Sequence, residues 1–100
     1  MNKKPSPWNP ETDPARLKVL GKLSEELGEL SSAVARCTIQ GIDEAQPVTG
    51  KPNREWITEE IADVIACITL VRTDFNLDMD LIGTRAEAKL AYLRDWVEMS

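Results

Sequence analysis

Two short acidic segments are the clearest candidates for chemistry in this sequence. Residues 25–30 read Glu-Glu-Leu-Gly-Glu-Leu and residues 59–64 read Glu-Glu-Ile-Ala-Asp-Val, so both follow the order acid, acid, apolar, small, acid, apolar. In a helix, acids at positions i and i+3 lie about 60° apart on one face, close enough to share a cation. Each segment therefore offers one carboxylate pair, which is Glu26 with Glu29 in the first and Glu60 with Asp63 in the second.

Three helices are predicted to position these acids. Prolines within the first fourteen residues predict an extended arm over residues 1–13, and Asp13 followed by Pro14 predicts the start of a helix that reaches about residue 39. Glycines and prolines predict a loop over residues 41–53, and further helices run from about 54 to 76 and from 79 to about 97, the last one capped by Asp78. Because no strand pattern competes, we expect an all-α fold in which residues 14–100 form one domain. The expected architecture is an antiparallel helical bundle of three main helices, with room for a short extra one. We expect oligomerisation to complete this bundle.

Apolar stripes predict which faces of the helices pack together. The predicted stripes are Leu20, Leu23, Leu27, Leu30, Val34 and Cys37 in the first helix, Ile57, Ile61, Val64, Ile65, Ile68 and Val71 in the second, and Ile82, Ala86, Leu90, Leu93 and Val97 in the third. At about 100° per residue, the first acid of each pair lies roughly 70° from its stripe and the second roughly 130°, in the same rotational sense. Antiparallel packing of the first two helices would then bring all four carboxylates to one flank, at the edge of the buried seam.

Four carboxylates in one place favour a bound cation. Two unit charges 4 Å apart repel by about 4 kcal/mol at an effective dielectric of 20. A site made of carboxylates alone suits a hard cation, Mg²⁺ or also Mn²⁺, and magnesium commonly binds together with substrate phosphates. The chain contains no histidine, which excludes imidazole bases and His-ligated zinc. We therefore expect a site that recruits a nucleoside polyphosphate through its metal.

Acidic pairs at this spacing also occur on ordinary solvated helix faces. Here the pattern occurs twice with matched offsets. Leu30 follows Glu26 by four residues and Ala33 follows Glu29 by four, so no lysine follows either acid at the spacing of a surface ion pair. These observations favour the metal interpretation.

Overall composition restricts the partners. There are 12 lysine and arginine residues against 17 aspartate and glutamate, a net charge of −5, which argues against nucleic acid as a partner. No window approaches the run of about 20 apolar residues that a membrane span needs, and no apolar stretch follows the first lysines as in a signal peptide. Cys37 and Cys67 lack CxxC spacing. We expect a soluble, cytoplasmic protein with no membrane partner.

The two acidic pairs resemble those of the MazG-type all-α NTP pyrophosphohydrolases. The similarity extends through Asn76-Leu77-Asp78-Met79-Asp80-Leu81 and Lys89, and covers roughly residues 16 to 95. The resemblance implies a homodimer or homotetramer in which Glu26, Glu29, Glu60 and Asp63 hold Mg²⁺ and serve catalysis. It also implies hydrolysis of a ribo- or deoxyribonucleoside triphosphate to the monophosphate and pyrophosphate, a housekeeping activity on the nucleotide pool.

Substrate contacts and the general base are further expectations. The candidate substrate-binding residues are Lys89, Lys51, Arg54, Trp56 and Trp8. For the loop residues the alternatives are a core or interface tryptophan and solvated cations, and for Lys89 a surface lysine. Glu25 or Glu59 adjoins the ligands and is a candidate to accept a proton from water, although both point away from the cluster, and one of the four ligand acids can serve instead.

Two alternative functions stay open at this point. One is a non-catalytic helical module that dimerises or binds a partner. The other is a phosphoribosyl-nucleotide pyrophosphohydrolase, which the lack of a strongly basic surface for an extra phosphate makes less favourable.

Overall fold

The computed structural model describes residues 7–99, most of which are helical. Helix α1 spans Pro14–Gln40, α2 spans Asn53–Asp74 and α3 spans Met79–Met99. Within residues 7–99 there is no strand, only an isolated bridge between Ala45 and Pro52. The prediction of an all-α fold is therefore confirmed. Residues 1–6 of the predicted arm lie outside the described residues, and residues 7–13 contain a turn but no helix.

The helices begin and end at the residues that the local sequence predicts. Asp13 caps α1 by accepting a hydrogen bond at Oδ2 from the backbone N–H of Arg16, 2.9 Å away, and Pro14 occupies the first turn, where a missing N–H costs nothing. Gly41 ends α1 with a φ of 99°, a conformation that side chains with a Cβ rarely adopt. Asp78 accepts a hydrogen bond at Oδ1 from the backbone N–H of Leu81, 3.0 Å away, at the start of α3.

Helices α1 and α2 pack along their lengths. The start of α1 lies beside the end of α2, where the Arg16 guanidinium is 5.4 Å from the centre of the Phe75 ring. The end of α1 lies beside the start of α2, where Asn53 Nδ2 donates a hydrogen bond to the Gly41 carbonyl, 2.9 Å away. The acidic segments, near the middle of each helix, are consequently brought opposite one another.

The seam between α1 and α2 differs from the predicted stripes by a rotation of each helix. Its less exposed positions follow a spacing of three and four residues: Val19, Leu23, Glu26, Leu30, Ala33 and Cys37 in α1, and Ile57, Glu60, Val64, Cys67 and Val71 in α2. Leu20, Leu27 and Val34, which were predicted to be buried, are 39%, 47% and 46% exposed. The stripe prediction was wrong here because it excluded acids from the seam, whereas the structure buries Glu26 in it.

Helix α3 packs little against the rest of the chain. It contains no buried residue, and of its predicted stripe only Ile82 is partly covered. The radius of gyration is 18.0 Å, whereas a compact chain of this length has about 13 Å. The place of α3 in a bundle therefore stays a prediction. No helix within residues 7–99 combines the length and apolarity that crossing a membrane requires.

The loop between α1 and α2 is held by its own hydrogen bonds. The backbone N–H of Asn53 donates to the Glu44 carbonyl and that of Gln46 to the Lys51 carbonyl, both at 2.8 Å. The Asn53 side chain is 1% exposed, and its bond to Gly41 joins the two ends of the loop. These contacts fix the position of Lys51 relative to the start of α2.

We expect the Asn53→Ala substitution to destabilise the fold by about 1 kcal/mol, because it leaves the Gly41 carbonyl without its buried donor. The measurement is urea unfolding followed by circular dichroism. Asn9→Ala, at an exposed position, serves as the control and should stay within about 0.5 kcal/mol of wild type. Equal midpoints for the two variants would contradict the role of Asn53.

Candidate metal centre

Three carboxylates from α1 and α2 converge at the seam. Glu26, Glu60 and Asp63 each place one oxygen atom so that the three atoms lie within 4.8 Å of one another. Glu26 is buried, Glu60 is partly buried and Asp63 is exposed. The cluster is consequently closed at the Glu26 end and open to solvent at Asp63, an arrangement that a cation with its own water ligands could enter.

The buried member of the cluster lacks full compensation. Glu26 is 8% exposed, and its Oε2 atom is buried without a hydrogen-bond partner. Glu60 Oε2 is in the same condition. A buried ionised oxygen without a partner is costly, and a cation held among the three carboxylates would remove that cost. This is an indication of a ligand that is independent of the clustering itself.

Glu29, the fourth predicted ligand, lies beside this cluster. It is not one of the three residues whose oxygens lie within 4.8 Å. Its pKa is nevertheless raised, first by the negative charge of Glu26, then by partial desolvation and by the charge of Glu60. The structure thus brings three of the four predicted ligands together and places the fourth within reach of their charge, so its ligation stays a prediction.

Lys22 is a member of the site that the sequence reasoning missed. Its Nζ lies 3.3 Å from Glu26 Oε1 and 3.4 Å from Glu25 Oε1, and the bonds to these two acids raise the pKa of Lys22. The spacing that the sequence prediction excluded is a lysine after each acid, whereas Lys22 precedes Glu26 by four residues. No lysine follows Glu26 by four residues, as predicted, but Glu26 still has an ion-pair partner because Lys22 lies one turn before it.

Lys51 forms an ion pair with the residue that precedes Glu60 in α2. Its Nζ is 2.6 Å from Glu59 Oε2, and that bond is the main cause of its raised pKa, with smaller contributions from the charges of Glu55 and Glu60. Lys51 thus contacts Glu59, the residue before Glu60, and the negative charge of Glu60 contributes to its raised pKa. Glu59 and Glu25, the candidate proton acceptors, are both engaged in ion pairs with lysines.

Arg54 and Trp56 occupy different surroundings near the start of α2. Arg54 donates to Asp43 Oδ1 through Nη2 at 2.6 Å and through Nε at 3.2 Å, so its guanidinium already has a carboxylate partner. Trp56 is partly buried and lines an open pocket of about 240 Å³ together with Gln46, Thr49 and Lys51. The predicted pair of Trp56 and Lys51 therefore shares one cavity, whereas Arg54 is tied to the loop.

Lys89 and Trp8, the remaining candidates, lie on other parts of the chain. The Lys89 ammonium is 5.1 Å from the centre of the Tyr92 ring, a cation–π contact within α3. Trp8 is 88% exposed and precedes α1. Their contact with a substrate stays a prediction.

Comparison with known proteins gives no assignment. No protein-family model, curated protein or solved structure matches this chain. The resemblance to MazG-type enzymes consequently stays a prediction that depends on the acidic motifs.

We expect millimolar Mg²⁺ or Mn²⁺ to raise the thermal stability of the protein, by about 2.7 kcal/mol when the cation reaches a hundred times its dissociation constant. Without metal, Asp63→Asn should unfold at an equal or higher temperature than wild type, because one repelling charge is removed. With metal, the variant should lose most of the rise in unfolding temperature that the cation causes in the wild-type protein. Differential scanning calorimetry measures both.

Glu87→Gln is the matched control, since it removes one carboxylate from α3 and should keep the full response. A wild-type protein that gains no stability from either cation, or an unchanged response in Asp63→Asn, would contradict a metal at this cluster.

Proposed function

We propose that this protein is a Mg²⁺-dependent nucleoside triphosphate pyrophosphohydrolase of the MazG type, with Mn²⁺ as an alternative metal. The observation that carries the proposal is the buried carboxylate of Glu26, with one oxygen unpartnered, which lies across the α1–α2 seam from Glu60 and Asp63. Only carboxylate oxygens are offered there, and such a donor set suits a hard cation. A cation of that kind commonly keeps open positions for phosphate oxygens.

The metal would neutralise the phosphate charge and orient a water molecule for in-line attack at the α-phosphorus. Glu26, Glu60 and Asp63 would hold it, with Glu26 as the buried anchor. The water oxygen forms a bond to the α-phosphorus, the bond to the bridging oxygen breaks, and pyrophosphate leaves. The products are the monophosphate and pyrophosphate.

Glu29 is the carboxylate that we assign to accept the proton of this water. Glu25 and Glu59 each have one oxygen in an ion pair, with Lys22 and Lys51 respectively, and neither belongs to the group of three carboxylates whose oxygens converge. Glu29 lies beside the three ligands without being one of that group. A carboxylate in this position can reach a water molecule bound at the cluster, which is the geometric requirement for a general base.

The pocket of Trp56 and Lys51 supports a site for the nucleotide. An indole ring can stack on a base, and the ammonium can meet a phosphate. Lys51 would exchange its bond to Glu59 for the phosphate, a small cost because both groups are substantially exposed. Contacts by Lys89, Arg54 and Trp8 are also part of the proposal.

The proposal includes association of copies. A third helix without any buried residue supports an antiparallel helical bundle that is completed by other copies, as a homodimer or homotetramer. The thiols of Cys37 and Cys67, both free, agree with a cytoplasmic location.

The second candidate function is a non-catalytic interaction module. The observation that favours it is the number of exposed large apolar side chains on all three helices. Such a module would bind its partner equally well with and without the charge of Asp63.

We expect a panel of ribo- and deoxyribonucleoside triphosphates, assayed at millimolar Mg²⁺, to include at least one from which the protein releases pyrophosphate. Asp63→Asn should lower the rate by about 100-fold or more. Removing a residue that only hydrogen-bonds to a metal ligand can already cost about 100-fold in activity, and loss of a direct ligand should cost at least as much. Glu87→Gln should keep wild-type activity. No release from any nucleotide would exclude the enzymatic function and leave the interaction module.

We expect Glu29→Gln to reduce kcat by about 100-fold or more, since a general base contributes roughly that factor. The stabilisation by Mg²⁺ should persist in this variant, because the three ligands are intact. The measurement combines steady-state kinetics with calorimetry. Loss of the metal response together with activity would instead show that Glu29 is a ligand.

A further inference from the structure

Gln46 is held in the loop between α1 and α2 by hydrogen bonds that use all of its polar groups except one. Its backbone N–H donates to the Lys51 carbonyl and its backbone carbonyl accepts from the Gly50 N–H, both at 2.8 Å. Its side-chain Oε1 accepts from the backbone N–H groups of Val48 and Thr49, at 2.6 and 2.7 Å, and from the Thr49 hydroxyl at 3.3 Å. The Nε2 group has no hydrogen-bond partner within residues 7–99.

The bonds to Val48 and Thr49 also fix which end of the Gln46 amide is oxygen. Two N–H donors aimed at one atom require an acceptor there, so that atom is Oε1. Three donors already use the capacity of this oxygen, since a carbonyl has two lone pairs. The end of the amide that stays available is therefore the NH₂ group, which only donates.

Gln46 lines the same open pocket as Trp56, the cavity of about 240 Å³ that Thr49 and Lys51 complete. The Lys51 ammonium also only donates. The Thr49 hydroxyl is engaged, because it donates to Gln46 Oε1 and accepts from the Lys51 backbone N–H at 3.3 Å. The polar side-chain groups that remain available are thus mainly donors, and they lie beside an indole ring. A flat ligand with a hydrogen-bond acceptor on its edge is complementary to such a pocket.

We propose that this pocket selects nucleobases with a keto group, in that the base stacks on Trp56 while Gln46 Nε2 donates to the keto oxygen. Thymine and guanine carry an oxygen acceptor at the position where cytosine and adenine carry an NH₂ donor, and uracil and hypoxanthine share the oxygen. An amino group at that position would meet the Gln46 donor with another donor, which leaves a polar group unpaired.

This inference rests on the proposed nucleotide site and names its substrate class, the nucleotides of uracil, thymine, guanine and hypoxanthine. Two pairs of nucleotides, UMP with CMP and IMP with AMP, compare a keto base with its amino counterpart. Isothermal titration calorimetry at millimolar Mg²⁺ measures their binding without any need for hydrolysis. We expect the keto member of each pair to bind about 5-fold more tightly, the effect of one net hydrogen bond.

Gln46→Glu is the variant that isolates the donor. It keeps an oxygen acceptor for the N–H groups of Val48 and Thr49 and replaces the NH₂ group with a second acceptor. The ratio of affinities should therefore invert, so that CMP and AMP bind more tightly than their keto partners. Both members of a pair carry the same phosphate, so its repulsion by the new charge cancels from the ratio. Asn9→Asp, the same change at an exposed residue before α1, is the matched control and should keep the wild-type ratio.

The outcomes separate this selectivity from the proposed enzymatic function. A wild-type ratio of one or below in any pair that binds, an unchanged ratio in Gln46→Glu, or no binding of any of the four nucleotides would overturn the role of Gln46. Pyrophosphate release without such selectivity leaves the enzyme standing, and selectivity without release leaves a nucleotide site that is not catalytic. Circular dichroism checks that Gln46→Glu is helical, and where it does not fold, the wild-type ratios decide.

Discussion

The carboxylate of Glu26 occupies a position in the α1–α2 seam where an apolar side chain would pack without cost. Leu23 and Leu30 lie along the same seam, one turn before and one turn after it. Burial of an ionised group is tolerated only with compensation, and Lys22 compensates one of its two oxygens. The packing of the two helices therefore depends on a positive group beside Glu26, which in this structure is the Lys22 ammonium. The Glu26 carboxylate thus belongs both to the packing of the two helices and to the cluster of three carboxylates.

The two sides of the helix pair have separate consequences. On one side, carboxylates from α1 and α2 lie close enough to raise the pKa of Glu29, and lysines at positions 22 and 51 moderate that charge. On the other side, leucine and isoleucine side chains meet solvent. Charged and apolar side chains therefore lie on different sides of the helix pair. Helix α3, which has no buried residue, adds apolar surface that a single chain does not cover.

Local features of the fold could be predicted closely because they depend on neighbouring residues. Two helix starts are capped by aspartates, Asp13 and Asp78, and the end of α1 is set by the backbone conformation of Gly41. Each of these effects acts within one helical turn, so the sequence predicts it correctly. The paired acids were also predictable as pairs, since the spacing of three residues defines their relation on one helix. The burial of Glu26 was not predictable in this way, because two adjacent apolar columns of α1 compete for the seam and the column with Leu20 and Leu27 is the one left exposed.

The sequence by itself determined three helices, their caps and loop, and two carboxylate pairs on matching faces, because propensity, capping and helical periodicity are properties of short segments. Only the tertiary structure decided which column of each helix entered the seam. That choice placed Glu26, Glu60 and Asp63 within 4.8 Å of one another, left Glu29 at their side and brought in Lys22. The physical reason is that contact across the seam depends on the rotation of both helices about their axes, and the free energy of that rotation is a sum over all pairs of residues that meet.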